Sequence, residues 1–191
     1  MRSWDNPLDR SIMDLVAGHR VDWATTVAKA VMWLGTTPVV LAATAAAAVL
    51  ALVAMRRWRA VLAVALAGAA TAVAAPLLKN VFERPRPPAQ LAMVVTGGFS
   101  FPSTQAAETA GVAVALFLTV HWHSRAVGRA AAVFLATVTA LVGCCMVYLG
   151  AHWPTDVLAG WCLGALIGMA VGRPLMTAAP TPKPRRESLV P

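Results

Sequence analysis

Residues 60–78 read AVLAVALAGAATAVAAPLL, a run of 19 positions without a single charge. A helix rises about 1.5 Å per residue, so a run of this length nearly spans the roughly 30 Å hydrocarbon core of a bilayer. A helix of the same length at the surface of a soluble domain would need a polar face, and this one has none. Similar apolar blocks fall at about 34–55, 104–121, 130–150 and 157–172. The whole chain of 191 residues is 59% hydrophobic and 13% charged, with a mean hydropathy of +0.67. Soluble domains carry about a quarter charged residues. The chain therefore reads as an all-α integral membrane protein, an antiparallel bundle of five transmembrane helices.

The charges sit between the blocks. Arg56, Arg57 and Arg59 fill one short loop, Arg125 and Arg129 another, and Arg173, Lys183, Arg185 and Arg186 follow the last block. Cytoplasmic loops of membrane proteins collect Lys and Arg, which places these three regions inside. The segments around 79–102 and 150–156 are then extracytoplasmic. The net charge of +8 is accounted for by this pattern, without a nucleic-acid partner. A sixth span near 23–35 would move the N-terminus inside, but Lys29 and the Gly-Thr-Thr-Pro at 35–38 count against it.

Residues 1–33 carry Asp5, Asp9, Asp14 and Asp22 and no compact apolar core of a cleavable signal. They read as amphipathic, lying along the interface or packed against the bundle as a short helix. Residues 34–173 form the membrane domain, and the Pro-rich basic stretch 174–191 reads as a disordered cytoplasmic tail. Cys144, Cys145 and Cys162 lie inside apolar blocks and read as small core residues.

Three polar clusters fall on the extracytoplasmic side: KNVFERPRPP (79–88), FSFPSTQAAE (99–108) and YLGAHWPTDVLAG (148–160). The first gathers Lys79, Arg84 and Arg86 and stiffens them with prolines, which suits an oxyanion with several oxygens. In the third, Pro154 suits the first position of a helix and Asp156 its first turn, with His152 just ahead. Asp156 is placed to accept a hydrogen bond from one imidazole nitrogen, leaving the other free as nucleophile or base. The second cluster also opens a helix, and two helix N-termini beside three cations make a phosphate site.

Together these residues resemble the type-2 phosphatidic acid phosphatases, the lipid phosphate phosphatases. The family's first motif is Lys, six residues, then Arg-Pro, matched by Lys79, Arg86 and Pro87. Its second, Pro-Ser-Gly-His, is answered by Pro102, Ser103, Thr104 and Gln105. Its third, Ser-Arg, five residues, His, three residues, Asp, becomes Cys145, Met146, His152 and Asp156. The resemblance implies that His152 attacks phosphorus to form a phosphohistidine, oriented by Asp156. It implies that Lys79, Arg86, Ser103 and Thr104 hold the phosphate, with no metal and no cofactor. Arg84, two residues before the motif Arg, is ordinary in the family and receives little part.

Two departures matter. The second-motif His would protonate the leaving oxygen, and Gln105 cannot; losing a general acid commonly costs a factor of about 10² to 10⁴. The third-motif Arg would bind phosphate, and Met146 carries no charge. A diphosphate substrate expels a phosphate-type leaving group that needs less protonation, so a lipid (polyprenyl) diphosphate is expected over a lipid monophosphate. Glu108, three residues after Gln105, is a second way out: a carboxyl desolvated near the membrane would retain a proton and act as acid. The plainer reading pairs Glu108 with Lys79, Arg84 or Arg86. The functional expectation is thus a multi-pass plasma-membrane phosphohydrolase with an extracytoplasmic site, or else a degraded relative that binds a phosphorylated headgroup without turnover. A proton-coupled transporter using Glu108 ranks last, because the chain lacks discontinuous helices in two matching halves.

Overall fold

The computed structural model describes residues 4 and 6–177, and of residues 38–44 the backbone alone. Seven helices follow one another and no strand occurs among the described residues: α1 (Pro7–Gly18), α2 (Asp22–Thr36), α3 (Pro38–Ala54), α4 (Trp58–Phe82), α5 (Thr104–Thr119), α6 (Arg125–Tyr148) and α7 (Pro154–Thr177). The starts carry ordinary capping chemistry. Asn6 accepts from the Leu8 N–H with Pro7 at the first position, and Ser103 and Ser124 cap α5 and α6 through their hydroxyls.

The apolar blocks fall on α3 to α7, with block 34–55 broken by the Thr37–Pro38 junction into the end of α2 and all of α3. Three of these helices, α4, α6 and α7, are long and apolar enough to cross a membrane, at 25, 24 and 24 residues. At 17 and 16 residues, α3 and α5 are shorter than those spans. The region weighed as a sixth span is α2, whose 15 residues rise only about 22 Å. The chain is an all-helical membrane protein, with Leu62, Leu66, Leu77, Val133, Phe134 and Leu166 exposed on its outer faces as lipid contact requires.

Its centre is α5 against α7. Gly160, Gly164, Gly168 and Gly172 recur every fourth residue on α7 and meet the backbone and small side chains of α5 from Ser103 to Leu118. A Cβ on Gly164 would stand 2.1 Å from the Ala107 carbonyl oxygen. In lipid, where there is no hydrophobic drive between helices, such close backbone approach supplies the packing energy. The α4 face of Ala60, Ala63, Ala67, Thr71 and Ala75 is buried, and α4 packs on both α5 and α7. Of the cysteines, Cys145 is buried while Cys144 and Cys162 are exposed, so only one is a core residue.

The N-terminal region is packed against the bundle. Helix α1 lies on α6 and α7 and buries Asp9 and Met13. The α1–α2 corner is tied to the end of α6: Arg20 donates from Nε to the Tyr148 carbonyl at 2.9 Å and from Nη2 to that of Leu91 at 2.7 Å. Helix α2 crosses the expected 33/34 boundary and α7 continues past residue 173 to Thr177. The rest of the expected tail lies outside the described residues.

Candidate active site

All three polar clusters meet at one end of the bundle, and the backbone explains how. Helix α4 ends on Glu83 in the left-handed conformation (φ 51°), which turns the chain into the 84–88 segment. Ser100 holds that segment from the far side: its N–H and hydroxyl donate to the Arg84 carbonyl at 2.8 and 3.1 Å. The Ser103 N–H donates to the Asp156 carbonyl at 2.9 Å, joining the starts of α5 and α7. Gly150 (φ 70°) takes the 149–153 loop so close to Leu91 that only glycine fits, and the Met93 N–H donates to the Leu149 carbonyl at 2.8 Å.

His152 sits in this loop, 2% exposed. Its Nε2 lies 3.4 Å from Arg86 Nη1, and its Nδ1 lies 3.5 Å from Asp156 Oδ2. The second distance is long for a hydrogen bond, and Nδ1 has no hydrogen-bond partner among the described residues. The orienting contact expected from sequence is therefore present as proximity rather than as a formed bond; such contacts often tighten when substrate binds. Burial lowers the His152 pKa below its usual value. Asp156 opposes the shift, and the nearby charges of Lys79 and Arg86 reinforce it. A shift in this direction favours the neutral imidazole at pH 7, the form that nucleophilic attack would need.

Arg86 is aimed by backbone carbonyls. Its Nη1 donates to Ala151 at 2.7 Å and its Nε to Gly97 and Gly98 at 3.0 and 3.1 Å. Lys79 Nζ donates to the Phe99 carbonyl at 3.0 Å. Both cations are thus held near the imidazole by neutral carbonyl acceptors, with Asp156 as the opposite charge each of them feels. Ser103 is fully buried and its hydroxyl is engaged in capping α5, with Thr104 half-buried as the first helical residue.

The side chains of Gln105, Glu108 and Met146 make no hydrogen bond to the imidazole among the described residues. They line a cavity of about 700 Å³ bounded by α2 to α6, otherwise walled by apolar residues with Thr109. Glu108 makes no ion pair with Lys79, Arg84 or Arg86, which are committed elsewhere, so its plainer sequence reading is corrected. Met146 is 1% exposed in a core cluster with Cys145, Leu149, Ala151 and Val157.

Arg84 is the residue that sequence reasoning undervalued. It donates from Nη1 to Asp156 Oδ1 and from Nη2 to Asp9 Oδ2, each at 2.6 Å. The remaining Asp156 oxygen accepts from the Trp153 N–H at 2.9 Å. Asp9 was missed altogether, because an acid in a first helical turn looks like a complement to the helix dipole. An arginine joined to the motif arginine Arg86 through the single rigid Pro85 was the one available signal that both cations had assigned work.

The chain as a whole resembles proteins of known sequence and structure. Residues 56–175 match the family model described as the PAP2 superfamily. Phosphatidylglycerophosphatase B of Bacillus subtilis (strain 168) is 39% identical over 94 residues, 48% of this chain and 46% of that protein. The matched stretch thus spans about half the length of that relative. Among solved structures, a transmembrane PAP2 type phosphatidylglycerolphosphate phosphatase from Bacillus subtilis superposes with a TM-score of 0.72 at 26% identity, covering 86% of this chain and 82% of that one. Aquifex aeolicus LpxE gives the same TM-score at 23% identity over 90% and 98%, a likeness of fold.

Proposed function

Since the chain belongs to the PAP2 superfamily, we propose that it is a membrane phosphohydrolase that removes phosphate from a lipid diphosphate in preference to a lipid monophosphate. The observation that carries this reading is the buried His152 with one ring nitrogen beside Arg86 and the other beside Asp156. His152 Nε2 attacks the terminal phosphorus while the P–O bond to the leaving group breaks, giving a phosphohistidine and a lipid monophosphate. Lys79 and Arg86 bind the transferring oxygens, and Asp156 stabilises the positive charge that grows on the ring. Water then cleaves the P–N bond and releases inorganic phosphate.

Gln105 shapes the substrate preference. It offers no acidic proton, so a lipid alkoxide is a poor leaving group here while a phosphate leaving group departs unaided. The plasma membrane and its extracytoplasmic face are the proposed location, supported by the Arg-rich loops at the opposite end of the bundle. Purified protein should release phosphate from polyprenyl diphosphate faster than from phosphatidic acid or phosphatidylglycerophosphate, the last being the lipid named in its relatives. His152→Ala should abolish release. Equal rates on all three lipids would sink the diphosphate preference.

A second reading, headgroup binding without turnover, is favoured by the loss of the motif cation at Met146. It predicts saturable binding of the same lipids by parent and His152→Ala alike, with no phosphate released by either.

A further inference from the structure

Asp156 belongs to a larger charged set. Asp9, Arg84 and Asp156 are 1%, 3% and 0% exposed. Thr155 closes the ring on the α1 side: its N–H donates to Asp9 Oδ1 at 3.0 Å, its hydroxyl donates to Asp9 Oδ2 and accepts from Arg84 Nη1. The Arg84 guanidinium also lies 5.6 Å from the ring centroids of both Trp4 and Trp153. Solvent screens such a set little, so each charge is felt by its neighbours.

Packing alone does not call for it. Buried ion sets cost desolvation and add little net stability over apolar contacts, and Met13 already docks α1 through the core. What Asp9 changes is charge. Arg84 and Asp156 alone would sum to zero beside His152, whereas Asp9, Arg84 and Asp156 together sum to −1. A phosphorylated imidazole bearing Nδ1–H is cationic, and Lys79 and Arg86 oppose that charge from α4 and the loop that follows. An Asp156 neutralised by Arg84 would leave the ring without a counter-charge.

We propose that Asp9 is a positioning residue of the site: through Arg84 it fixes the Asp156 carboxylate and keeps the set anionic, so that the ring can become cationic during attack. This rests on His152 being the nucleophile. It also makes α1 part of the active site rather than an interfacial attachment.

The test uses full-length protein in detergent, with His152 titrated by NMR of labelled histidine and phosphate release measured alongside. The His152 signal is assigned by its loss in His152→Ala. Asp9→Asn should lower the His152 titration midpoint by about half a pH unit or more, because removing a nearby anion disfavours imidazolium. It should lower kcat about ten-fold on lipid diphosphate with KM changed less than about two-fold, the pattern of an interaction made in the transition state. Asp9→Asn with Arg84→Gln returns the set to −1 and should restore the midpoint toward that of the parent. Asp14→Asn, an exposed acid on the same helix, should change neither reading. An unshifted midpoint in folded Asp9→Asn overturns the proposal. Should that variant not fold, the double variant decides: a midpoint near the parent's supports the charge balance and a displaced one refutes it. If the parent itself releases no phosphate, the phosphohydrolase reading fails while the titration still reports on the charge set.

Discussion

The Ser103 N–H donates to the carbonyl oxygen of Asp156 at 2.9 Å, so the helix that carries the second motif and the helix that carries the third begin as one unit. The glycine line of α7 extends that contact down the bundle, and Gly164 is its tightest point, 2.1 Å from the Ala107 carbonyl oxygen for an added Cβ. Both neighbours there are backbone, which cannot rotate away. Gly164→Val should therefore destabilise by about 1–3 kcal/mol or more and cut phosphate release with it. Thermal unfolding in detergent checks this. Gly18→Ala, where an added Cβ meets nothing within 4 Å, serves as the tolerated comparison.

The pH dependence has a definite sign. His152 in the fold has its pKa lowered from 6.5 by burial first, with Lys79 and Arg86 adding to the effect. In the proposed mechanism only the neutral ring attacks, so the acid limb of kcat/KM should lie below pH 6.5 and move further down when Asp156 is neutralised as Asn. Stability follows the same group. Between the lowered folded value and the ordinary one the unfolded chain binds more protons, so stability falls as pH falls through that window. Denaturation at several pH values, compared with His152→Ala, should show the slope shrink in the variant. An acid limb above the ordinary histidine value would contradict the assignment.

Much of this was legible before any coordinates, for local reasons. Lys79, Arg86, His152 and Asp156 are fixed by spacing within short segments, and those segments begin or end helices whose apolar runs are unmistakable. What escaped notice were contacts between distant parts of the chain. Asp9 and Arg84 are 75 residues apart and meet only because α1 folds back over the α7 terminus. The pairing considered for Glu108 failed for a related reason: Lys79, Arg84 and Arg86 are taken by other acceptors. The break at Thr37–Pro38 inside an apolar block was signalled by the proline, yet composition alone joined α2 to α3.

Gly150 is where the loop bearing His152 depends on one residue type. Its φ of 70° lies in the left-handed region, and an added Cβ would stand 2.2 Å from the Leu91 carbonyl oxygen. Gly150→Ala must therefore displace residues 149–153 from the 88–93 turn. Left-handed strain alone costs of order 1–3 kcal/mol, and the backbone clash adds to it. The expected result is a large loss of activity, with weaker binding of phosphate mimics such as vanadate, because the Ala151 carbonyl that aims Arg86 moves too. Full activity in Gly150→Ala would show that the loop geometry is not needed for catalysis.

Gln105 and Met146 depart from the family pattern on the walls of a single cavity, and this couples their reversal. Gln105→His offers a proton donor where the motif would have one. Protonation helps an alkoxide leave far more than a phosphate, so the variant should raise phosphatidic acid turnover by about 10-fold or more while changing diphosphate turnover little. Met146→Arg should destabilise the fold, because it puts a cation into a packed apolar cluster where an unpaired charge costs several kcal/mol. Among the described residues Glu108 is the one acid lining the same cavity, so it is the available partner for that arginine. Met146→Arg should accordingly be tolerated better in the parent than in a Glu108→Gln background, a difference that denaturation of the single and double variants measures directly. A rise in monoester turnover from Gln105→His matched by an equal rise on diphosphate would mean that leaving-group protonation is not what Gln105 withholds.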